Sequence, residues 1–481
     1  MAEIDLLFRD VLIFDGAGGA PETGEVAVAG DLIVAVGQGL DVAAREVIDG
    51  AGRALSPGFI DVHTHDDAVV LSAAGLTPKL TQGVTSVVTG NCGISLAPGL
   101  PAGMDRPAPP LDLLGTAEAF AYPRFQDYLL ALQDFRPSAN VLPLVGHAVL
   151  RLRAMGDCDR PATAAEIRRM RADLAEALAA GAIGLSTGLA YPPARFADTE
   201  EVRELVSDVA RAGGLWATHM RDERSGVVSA VAETLDIARR TGVRTLISHH
   251  KCCGAAAHGL SRTTLAMIAA ARQEMSVDLD VYPYTASSTV LNSTFAGDSD
   301  TVTISWSEPH PCCAGRTLAN IAAEWGVGED VALERLRPGG AIYHQMCEDD
   351  LLQIMAFEPT LVGSDGLPRD ERPHPRLWGS FPRVLGHYAR ERGVFAMETA
   401  IAKMTGRTAA VLGLPDRGLL REGFKADLVL FDPATIGDAA TYDEPTRPAI
   451  GLSAVWVNGR AALRDGVPTG TRAGAVLGAA R

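Results

Sequence analysis

The sequence lacks a long hydrophobic run. Nowhere in its 481 residues does an uninterrupted apolar stretch reach the roughly 18 residues that suggest a membrane-spanning helix. The opening residues, Met-Ala-Glu-Ile-Asp, also lack the basic and apolar regions of a secretory signal. We therefore expect no transmembrane segment and a cytoplasmic location.

Positive charge is also scarce. The chain has 43 Lys and Arg residues against 59 Asp and Glu residues, a formal net charge of −16. Neutralising nucleic-acid phosphates or docking on anionic lipid requires an excess of cations. We therefore expect no nucleic-acid or membrane partner, whereas a small anionic substrate would need only a few local cations. No pattern in the sequence predicts an oligomeric state.

The chain also lacks the even number of cysteines that a complete set of disulfide bonds would need. The chain has 7 cysteines, which in a protein of this length do not predict a disulfide framework. Free thiols that behave as small hydrophobic side chains are the simpler expectation. They also suit a reducing compartment.

Both ends of the chain alternate short apolar runs with turn residues, a pattern typical of β strands. These runs occupy residues 6–14, 25–28, 32–36, 46–48, 427–431 and 454–457. The last is followed by Asn458-Gly459, a sequence typical of a tight hairpin turn. Residues 1–56 and 415–481 are therefore predicted to form one small β domain.

The region between them, residues 57–414, alternates strand and helix patterns. Buried strands are predicted at residues 58–63, 84–89, 141–146, 182–186, 215–219, 245–249, 277–282 and 360–364. Amphipathic helical stretches at 164–180, 200–212 and 227–241 lie between some of them. The pattern predicts an α/β fold, a (β/α)₈ barrel of the TIM type. The long gap before the eighth strand predicts an insertion at 285–348, which would act as a lid.

Residues of the types that bind metal ions follow several of the predicted strands. Catalytic groups of such barrels lie at the C-terminal ends of the strands. The candidates there are His63, His65, Cys92, His219, one of the adjacent pair His249 and His250, and Asp365. His63 and His65 are two residues apart, so on a strand they face the same side. Imidazole, thiolate and carboxylate groups together predict a zinc site.

Each of these residues has an alternative structural interpretation. Cys92 alone would suit a buried hydrophobic position, His219 a helix end and Asp365 a turn. Adjacent residues on a strand face opposite sides, so only one of His249 and His250 can be a ligand. It is the convergence of these residues on one predicted rim that favours a metal site.

The chain resembles the amidohydrolase superfamily. The resemblance rests on Pro-Gly-Phe-Ile-Asp-Val-His-Thr-His at 57–65, the later histidines, Asp365 and the segment 423–432. Narrower motifs resemble the N-acyl-D-amino-acid deacylases, or D-aminoacylases. They are Gly-Asn-Cys-Gly at 90–93, Gly-Leu-Ser-Thr-Gly-Leu-Ala-Tyr-Pro at 184–192, Thr-His-Met-Arg-Asp at 218–222, Ser-His-His-Lys at 248–251, Tyr-Pro-Tyr at 282–284, Gly-Ser-Asp-Gly at 363–366 and His-Pro-Arg at 374–376. Cys92 stands where many relatives in the superfamily use a carboxylated lysine.

This resemblance implies a ligand set. It assigns His63, His65 and Asp365 to one metal position and Cys92, His219 and His249 to another. It favours His249 over His250. It also implies one tightly bound zinc ion and a possible second, weaker site.

The resemblance implies zinc-dependent hydrolysis of the amide bond of N-acyl-D-amino acids. Asp365 would move the proton from water to the leaving amine. Tyr282, at the end of strand seven, is a candidate oxyanion donor, although a core aromatic is an equal alternative. The expected substrate-binding residues are Lys251, Arg376, Tyr191 and Ser288. Residues 289–305 contain no Lys or Arg, which favours substrates with neutral or hydrophobic side chains.

Two other functions compete with deacylation. A cyclic-amide hydrolase, of the hydantoinase or dihydroorotase kind, would share the barrel and the histidines, but its usual metal-bridging lysine has no evident equivalent here. A metal-binding scaffold without catalysis is the second. The presence of Asp365 argues against a scaffold, because a scaffold needs no proton shuttle.

Overall fold

Five strands form near the N terminus, where apolar residues alternate with turn residues. In the computed structural model, which describes residues 3–101, 103–104 and 106–478, they are β1 (Ile4–Ile13), β2 (Glu22–Ala29), β3 (Leu32–Gly37), β4 (Ala44–Asp49) and β5 (Ala54–Pro57). β1 pairs antiparallel with β2, and β2 pairs with β3. β1 also pairs in parallel with β4 and with β5.

The next strands carry the barrel. They are β6 (Phe59–Asp61), β7 (Val84–Thr89), β8 (Asn140–Pro143), β9 (Val145–Gly146), β10 (Gly184–Gly188), β11 (Leu215–His219), β12 (Arg244–Ile247) and β13 (Val277–Val281). β8 and β9 are two parts of the third barrel strand. Parallel pairing joins β6 to β7 and β7 to β8, and it continues from β9 in chain order to β13.

Helices separate most of these strands. They are α1 (Thr77–Leu80), α2 (Phe125–Phe135), α3 (His147–Ala154), α4 (Ala164–Ala180), α5 (Thr199–Arg211), α6 (Val227–Thr241) and α7 (Ser261–Ala271). At the start of α4, Thr163 and Glu166 form a reciprocal capping box that satisfies two free N–H groups. Its buried Ile167, Met170 and Leu174 recur every three or four residues and so form one apolar face.

A three-stranded antiparallel sheet follows β13 in the chain. It contains β14 (Ala286–Val290), β15 (Thr301–Ser307) and β16 (Gly339–His344), with β16 in the middle. Three helices accompany it: α8 (Ser293–Gly297), α9 (Leu318–Trp325) and α10 (Glu329–Arg335). This unit has its own apolar core, in which Ile304, Ile321 and Leu333 are buried.

The eighth barrel strand closes the ring. After α11 (Glu348–Ala356), β17 (Thr360–Val362) pairs in parallel with β13. The opposite side of β17 reaches the end of β6, where Thr64 and Gly366 form a parallel bridge. The Asp365 N–H donates to the His63 carbonyl at 2.8 Å. Eight parallel strands thus close on themselves, in agreement with the predicted barrel.

The C-terminal helices and strands return to the N-terminal sheet. The helices are α12 (Arg376–Arg383), α13 (Met397–Met404) and α14 (Gly406–Leu412), and the π-helical turn Val384–Glu391 continues α12. The strands are β18 (Leu428–Phe431), β19 (Leu452–Val457), β20 (Arg460–Arg464) and β21 (Val467–Pro468). β18 pairs antiparallel with β5, so strands from both ends share one nine-stranded sheet. In the part of the chain that the structure describes, no helix combines the length and hydrophobicity needed to cross a bilayer.

The predicted Asn458-Gly459 turn joins β19 to β20. Both residues have positive φ angles, 48° and 75°, as a tight hairpin of two antiparallel strands requires. Nearby, the rings of Phe8 and Trp456 meet edge to face, with centroids 4.8 Å apart. This contact packs the N-terminal strands against the C-terminal ones.

A buried ion pair lies where the first and last barrel strands meet. Lys79 Nζ donates to Asp61 Oδ2 at 2.8 Å and to Ser364 Oγ at 2.6 Å. Asp61 Oδ1 accepts the N–H groups of His63, at 3.2 Å, and Ser364, at 2.8 Å. All four residues are fully buried. The network therefore holds the backbone of both strands at the rim of the barrel.

Replacing Lys79 tests this network. Lys79→Met leaves the Asp61 carboxylate buried without its cation, so the free energy of unfolding should fall by about 3–5 kcal/mol. Lys425→Met is the matched control, because Lys425 pairs with Asp31 at a partly exposed site, and it should change stability by less than about 1 kcal/mol. Urea unfolding measures both. Equal stability of the two variants would contradict the proposed network.

Candidate metal centre and active-site cavity

Three of the predicted site residues leave their strands in the left-handed conformation. Cys92, His249 and Asp365 have φ angles of 53°, 35° and 50°. Non-glycine residues seldom adopt positive φ, and those that do cluster at functional sites. Glycine is required beside Cys92, since a Cβ at Gly93 (φ 77°) would lie 2.7 Å from the backbone nitrogen of Gly188. These sharp turns bring the three side chains together.

The Cys92 thiol lies among the histidines. Its Sγ is 3.2 Å from His63 Nε2 and 3.2 Å from His249 Nε2. It also interacts with His65 and His219. Four predicted histidines from three strand ends therefore surround the sulfur atom of Cys92.

Asp365 completes the cluster from the eighth strand. Its Oδ1 is 3.2 Å from His65 Nε2 and 3.5 Å from His63 Nε2. Its Oδ2 pairs with Arg376 at 2.8 Å. Donor atoms of His63, Cys92, His249 and Asp365 lie within 4.8 Å of one another. Two imidazoles, a thiolate and a carboxylate at this spacing have the donor chemistry and number of a zinc site.

Glu223 is a site residue that the sequence analysis missed. It forms a second possible ligand group with His219 and His249, and its Oε1 is 3.0 Å from His249 Nδ1. Lys251 Nζ donates to the same oxygen at 2.7 Å. Glu223 follows His219 by four residues in a loop, where neither the strand nor the helix period applies. Its proximity to His219 in the chain was the available signal.

The neighbouring charges determine whether Cys92 and Asp365 are ionised. Burial by itself would raise the pKa of the Cys92 thiol, but the charges of His63 and His249 lower that pKa well below its usual range. Burial likewise opposes ionisation of Asp365, yet Arg376 and His63 hold its pKa well below the ordinary value. Both side chains are therefore anions, the form in which thiols and carboxyls bind metals.

The structure separates the adjacent histidines His249 and His250. The His249 ring lies 4.5 Å from the ring of His219, centroid to centroid. The His250 ring instead contacts Thr264 Oγ1 at 2.8 Å, and its burial lowers its pKa to about 4. Asp280 accepts the His249 N–H at 3.0 Å. His249 thus joins the cluster, and His250 is a neutral core residue.

A cavity of about 260 Å³ opens beside the cluster. The members of the cluster on its wall are His65, Cys92, His219, Glu223, His249 and Asp365. Three predicted substrate-binding residues also line it, namely Lys251, Tyr191 and Ser288. The hydroxyl oxygen of Ser288 is buried without a hydrogen-bond partner among the described residues. It is therefore free to bond a ligand.

Arg376 and Tyr282 are fully buried and are not among the residues that line the cavity. Arg376 donates to the Ser288 carbonyl at 3.0 Å and lies 4.6 Å from the centre of the Tyr282 ring. The Tyr282 hydroxyl contacts Met346 Sδ at 3.7 Å. The structure thus places both residues against the site, behind its wall.

The cavity wall contains arginines that the sequence analysis did not predict. Residues 289–305 do lack Lys and Arg, but Arg221 and Arg224, from the loop after β11, line the cavity. Arg221 pairs with Glu233 and Arg224 with Asp298. The cavity wall therefore contains cations, and each of these two is already paired.

A parallel barrel whose strand ends gather histidine, cysteine and aspartate defines a class of barrel hydrolases. The sequence profile of the Amidohydrolase family matches residues 46–284 and 355–462. The chain belongs to this family.

Two curated relatives, both from Alcaligenes xylosoxydans xylosoxydans, extend over almost the whole chain. A D-aminoacylase is 48% identical, covering 98% of this chain and 97% of its own. An N-acyl-D-aspartate deacylase is 47% identical, covering 99% and 95%. The deacylase resemblance drawn from the motifs is therefore confirmed.

Solved structures are similarly close. A D-aminoacylase described for its binuclear metal centre is 49% identical, with a TM-score of 0.95, and the match covers 99% of this chain and 100% of that one. An N-acyl-D-glutamate deacylase from Bordetella bronchiseptica, solved with zinc and a phosphonate that mimics the tetrahedral intermediate, is 44% identical. Its TM-score is 0.95, with the same coverage.

Cobalt binding tests the thiolate in the cluster. We expect Co²⁺ added to the metal-free protein to produce a thiolate-to-cobalt charge-transfer band in the near ultraviolet, because we predict that Cys92 is a ligand. Cys92→Ser should abolish this band. Cys253→Ser is the control, since Cys253 is also buried and lines the same cavity but is outside the cluster, and it should retain the band. A band that survives in Cys92→Ser would exclude Cys92 as a ligand.

Proposed function

We propose that the protein hydrolyses the amide bond of N-acyl-D-amino acids in a zinc-dependent reaction and releases a carboxylate and a free D-amino acid. The observation that carries this proposal is the buried cluster of Cys92, His63, His249 and Asp365, of which Cys92, His249 and Asp365 line a small cavity. The D configuration is supported by the near full-length relatives that act on D-amino acids.

The ligand assignment is part of the proposal. Cys92, His219 and His249 would hold one zinc ion tightly, and His63, His65 and Asp365 would form a second, weaker position. Cys92 Sγ is 3.2 Å from Nε2 of both His63 and His249, so the two proposed positions would be close together. When bound, zinc would polarise the substrate carbonyl and make a water molecule more acidic.

Asp365 is the proposed proton carrier. It lines the cavity, and the neighbouring charges keep it ionised. As the water oxygen forms its bond to the amide carbon, the Asp365 carboxylate accepts the proton. It then gives this proton to the nitrogen as the carbon–nitrogen bond breaks. Asp365 therefore ends the reaction as it began, as a carboxylate, because the proton that it takes from water passes to the leaving nitrogen.

The substrate carboxylate would be held by Lys251 and Arg376, with Tyr191 and Ser288. Lys251 and Ser288 line the cavity directly. Arg376 pairs with Asp365 through Nη1 and keeps one buried nitrogen, Nε, that contacts no partner within the described residues. A lysine and an arginine together would fix both the position and the orientation of a carboxylate.

Tyr282 remains the proposed donor to the oxyanion. The centre of its ring lies 4.6 Å from Arg376 and 5.7 Å from Lys251. The contact of its hydroxyl with Met346 Sδ is weak, because a thioether is a poor acceptor. The hydroxyl therefore keeps its capacity to donate to a developing negative charge.

The proposed substrates carry neutral or hydrophobic side chains. Ile94, Leu113, Phe295 and Leu367 contribute apolar surface to the cavity, which favours such side chains. Arg224 is neutralised by Asp298 and so does not counter this preference.

We also propose a division into domains. The nine-stranded sheet supports a composite β domain of residues 1–56 and 415–481, and the ring of strands supports a barrel over 57–414. Residues 285–348 would form a lid, since Thr289, Phe295 and Gln345 of this segment line the cavity.

A stereospecific screen tests the proposed function. The zinc-loaded protein should hydrolyse N-acetyl-D-methionine, and its activity on the L enantiomer should be far lower. Hydantoin is the comparison substrate for the rival cyclic-amide hydrolase. Faster hydrolysis of hydantoin would favour that rival. Tight zinc binding without turnover of any amide would favour the scaffold.

Asp365→Asn tests the proton carrier. Loss of general acid–base catalysis should reduce kcat for N-acetyl-D-methionine by about 100-fold to 10,000-fold, while the tighter zinc position remains filled. Asp370→Asn, a change at another buried carboxyl of the same loop, is the control and should keep near-normal kcat. Metal content and steady-state kinetics provide the measurements. A near-normal kcat in Asp365→Asn would refute the assigned role.

A further inference from the structure

Arg224 occupies a distinctive position in the cavity wall. It follows Glu223 in the loop after β11, and it lines the cavity together with Phe295 and Gln345. Its guanidinium group lies 5.2 Å from the centre of the Phe295 ring and donates to Gln345 Oε1 at 3.0 Å. Two residues from opposite ends of the 285–348 segment thus fix this cation against the cavity.

Asp298 neutralises Arg224 from outside the cavity. The two side chains form an ion pair, but Asp298 is not among the residues that line the cavity. The Arg224 side chain is 15% exposed and the Asp298 side chain 51% exposed. A pair with one partner half in water is screened and contributes little to stability. Arg224 would therefore keep its place through Phe295 and Gln345 if Asp298 lost its charge.

Gly254 makes room for this pair. A Cβ at this position, where φ is 78°, would lie 3.3 Å from an Arg224 nitrogen and 3.5 Å from Asp298 Cβ. The Gly254 N–H also donates to the Gln345 carbonyl at 2.7 Å. The loop that carries Lys251 therefore packs directly on the Arg224–Asp298 pair.

The other two cations on the cavity wall are committed elsewhere. Arg221 donates to Glu233 and to the carbonyls of Arg195 and Ala197. Lys251 lies against Glu223 and His249, at the proposed position of the substrate α-carboxylate. Among the cations that line the described cavity, Arg224 is thus the one whose charge is balanced by a half-exposed partner outside the cavity.

We propose that Arg224 determines the side-chain specificity of the enzyme and that Asp298 sets the sign of that preference. With the pair intact, the wall is close to neutral and accepts uncharged D-residues. Without the Asp298 charge, Arg224 is free to bind the carboxylate of an acidic D-residue. This inference rests on the proposed deacylase function and names the residues that select its substrate class.

The test compares kcat/KM for N-acetyl-D-glutamate with kcat/KM for N-acetyl-D-methionine. In Asp298→Asn the ratio of the first to the second should rise about tenfold over wild type, because the charge of Arg224 is then no longer compensated and can attract the substrate carboxylate. Asp300→Asn is the matched control. It removes the same charge from an exposed residue of the same segment that does not line the cavity, and it should leave both values unchanged.

A double variant assigns the gain to Arg224. In Asp298→Asn/Arg224→Met the ratio should return to the wild-type value or fall below it. An unchanged ratio in Asp298→Asn, or a gain that persists in the double variant, would overturn the inference.

A binding measurement separates this inference from the proposed function. If wild type hydrolyses neither substrate, the deacylase proposal fails, and calorimetry of the zinc-loaded protein then decides the role of Arg224. Asp298→Asn should bind N-acetyl-D-glutamate about tenfold more tightly than wild type, and the double variant should lose this gain. Equal affinity of wild type and Asp298→Asn would reject the inference.

Discussion

The site depends on one constraint, that the Cys92 thiolate lies among four imidazoles at the rim of a closed barrel. Parallel strands place all their C-terminal ends on the same side, so short side chains from distant segments can reach one point. The left-handed turns at Cys92, His249 and Asp365 direct these three side chains toward that point. The positive φ angles strain the backbone there. The tight packing of glycines against neighbouring strands keeps those turns in place.

Buried ion pairs are the second feature on which the site depends. Three carboxylates at or beneath the site have a buried cation as partner: Asp61 has Lys79, Glu223 has Lys251 and Asp365 has Arg376. An unpaired ion in the protein interior would be far less stable than in water. The charges of Lys251 and Arg376 therefore favour the ionised forms of Glu223 and Asp365, and Lys251 also lines the cavity.

The fold could be read from the chain because it depends on local patterns. Alternating apolar residues and turn sequences predicted the barrel strands and several strands of the terminal sheet to within a few residues. The amphipathic pattern predicted α4, and Asn458-Gly459 predicted its hairpin. The residue types of the candidate site could be predicted too, since each of these residues follows a strand. Glu223 and Arg224 could not, because a loop residue has no period and its direction depends on what packs around it.

The sequence by itself determined the class of fold, the chemical types of the site residues and the family. It did so because strand periodicity and motif spacing are local properties of the chain. Only the tertiary structure decided that His249 rather than His250 enters the cluster. It also decided that Arg376 lies against Asp365 and that Arg224 is paired with Asp298. These outcomes join residues from separate segments, and only folding brings those segments close enough for charge and packing to act between them.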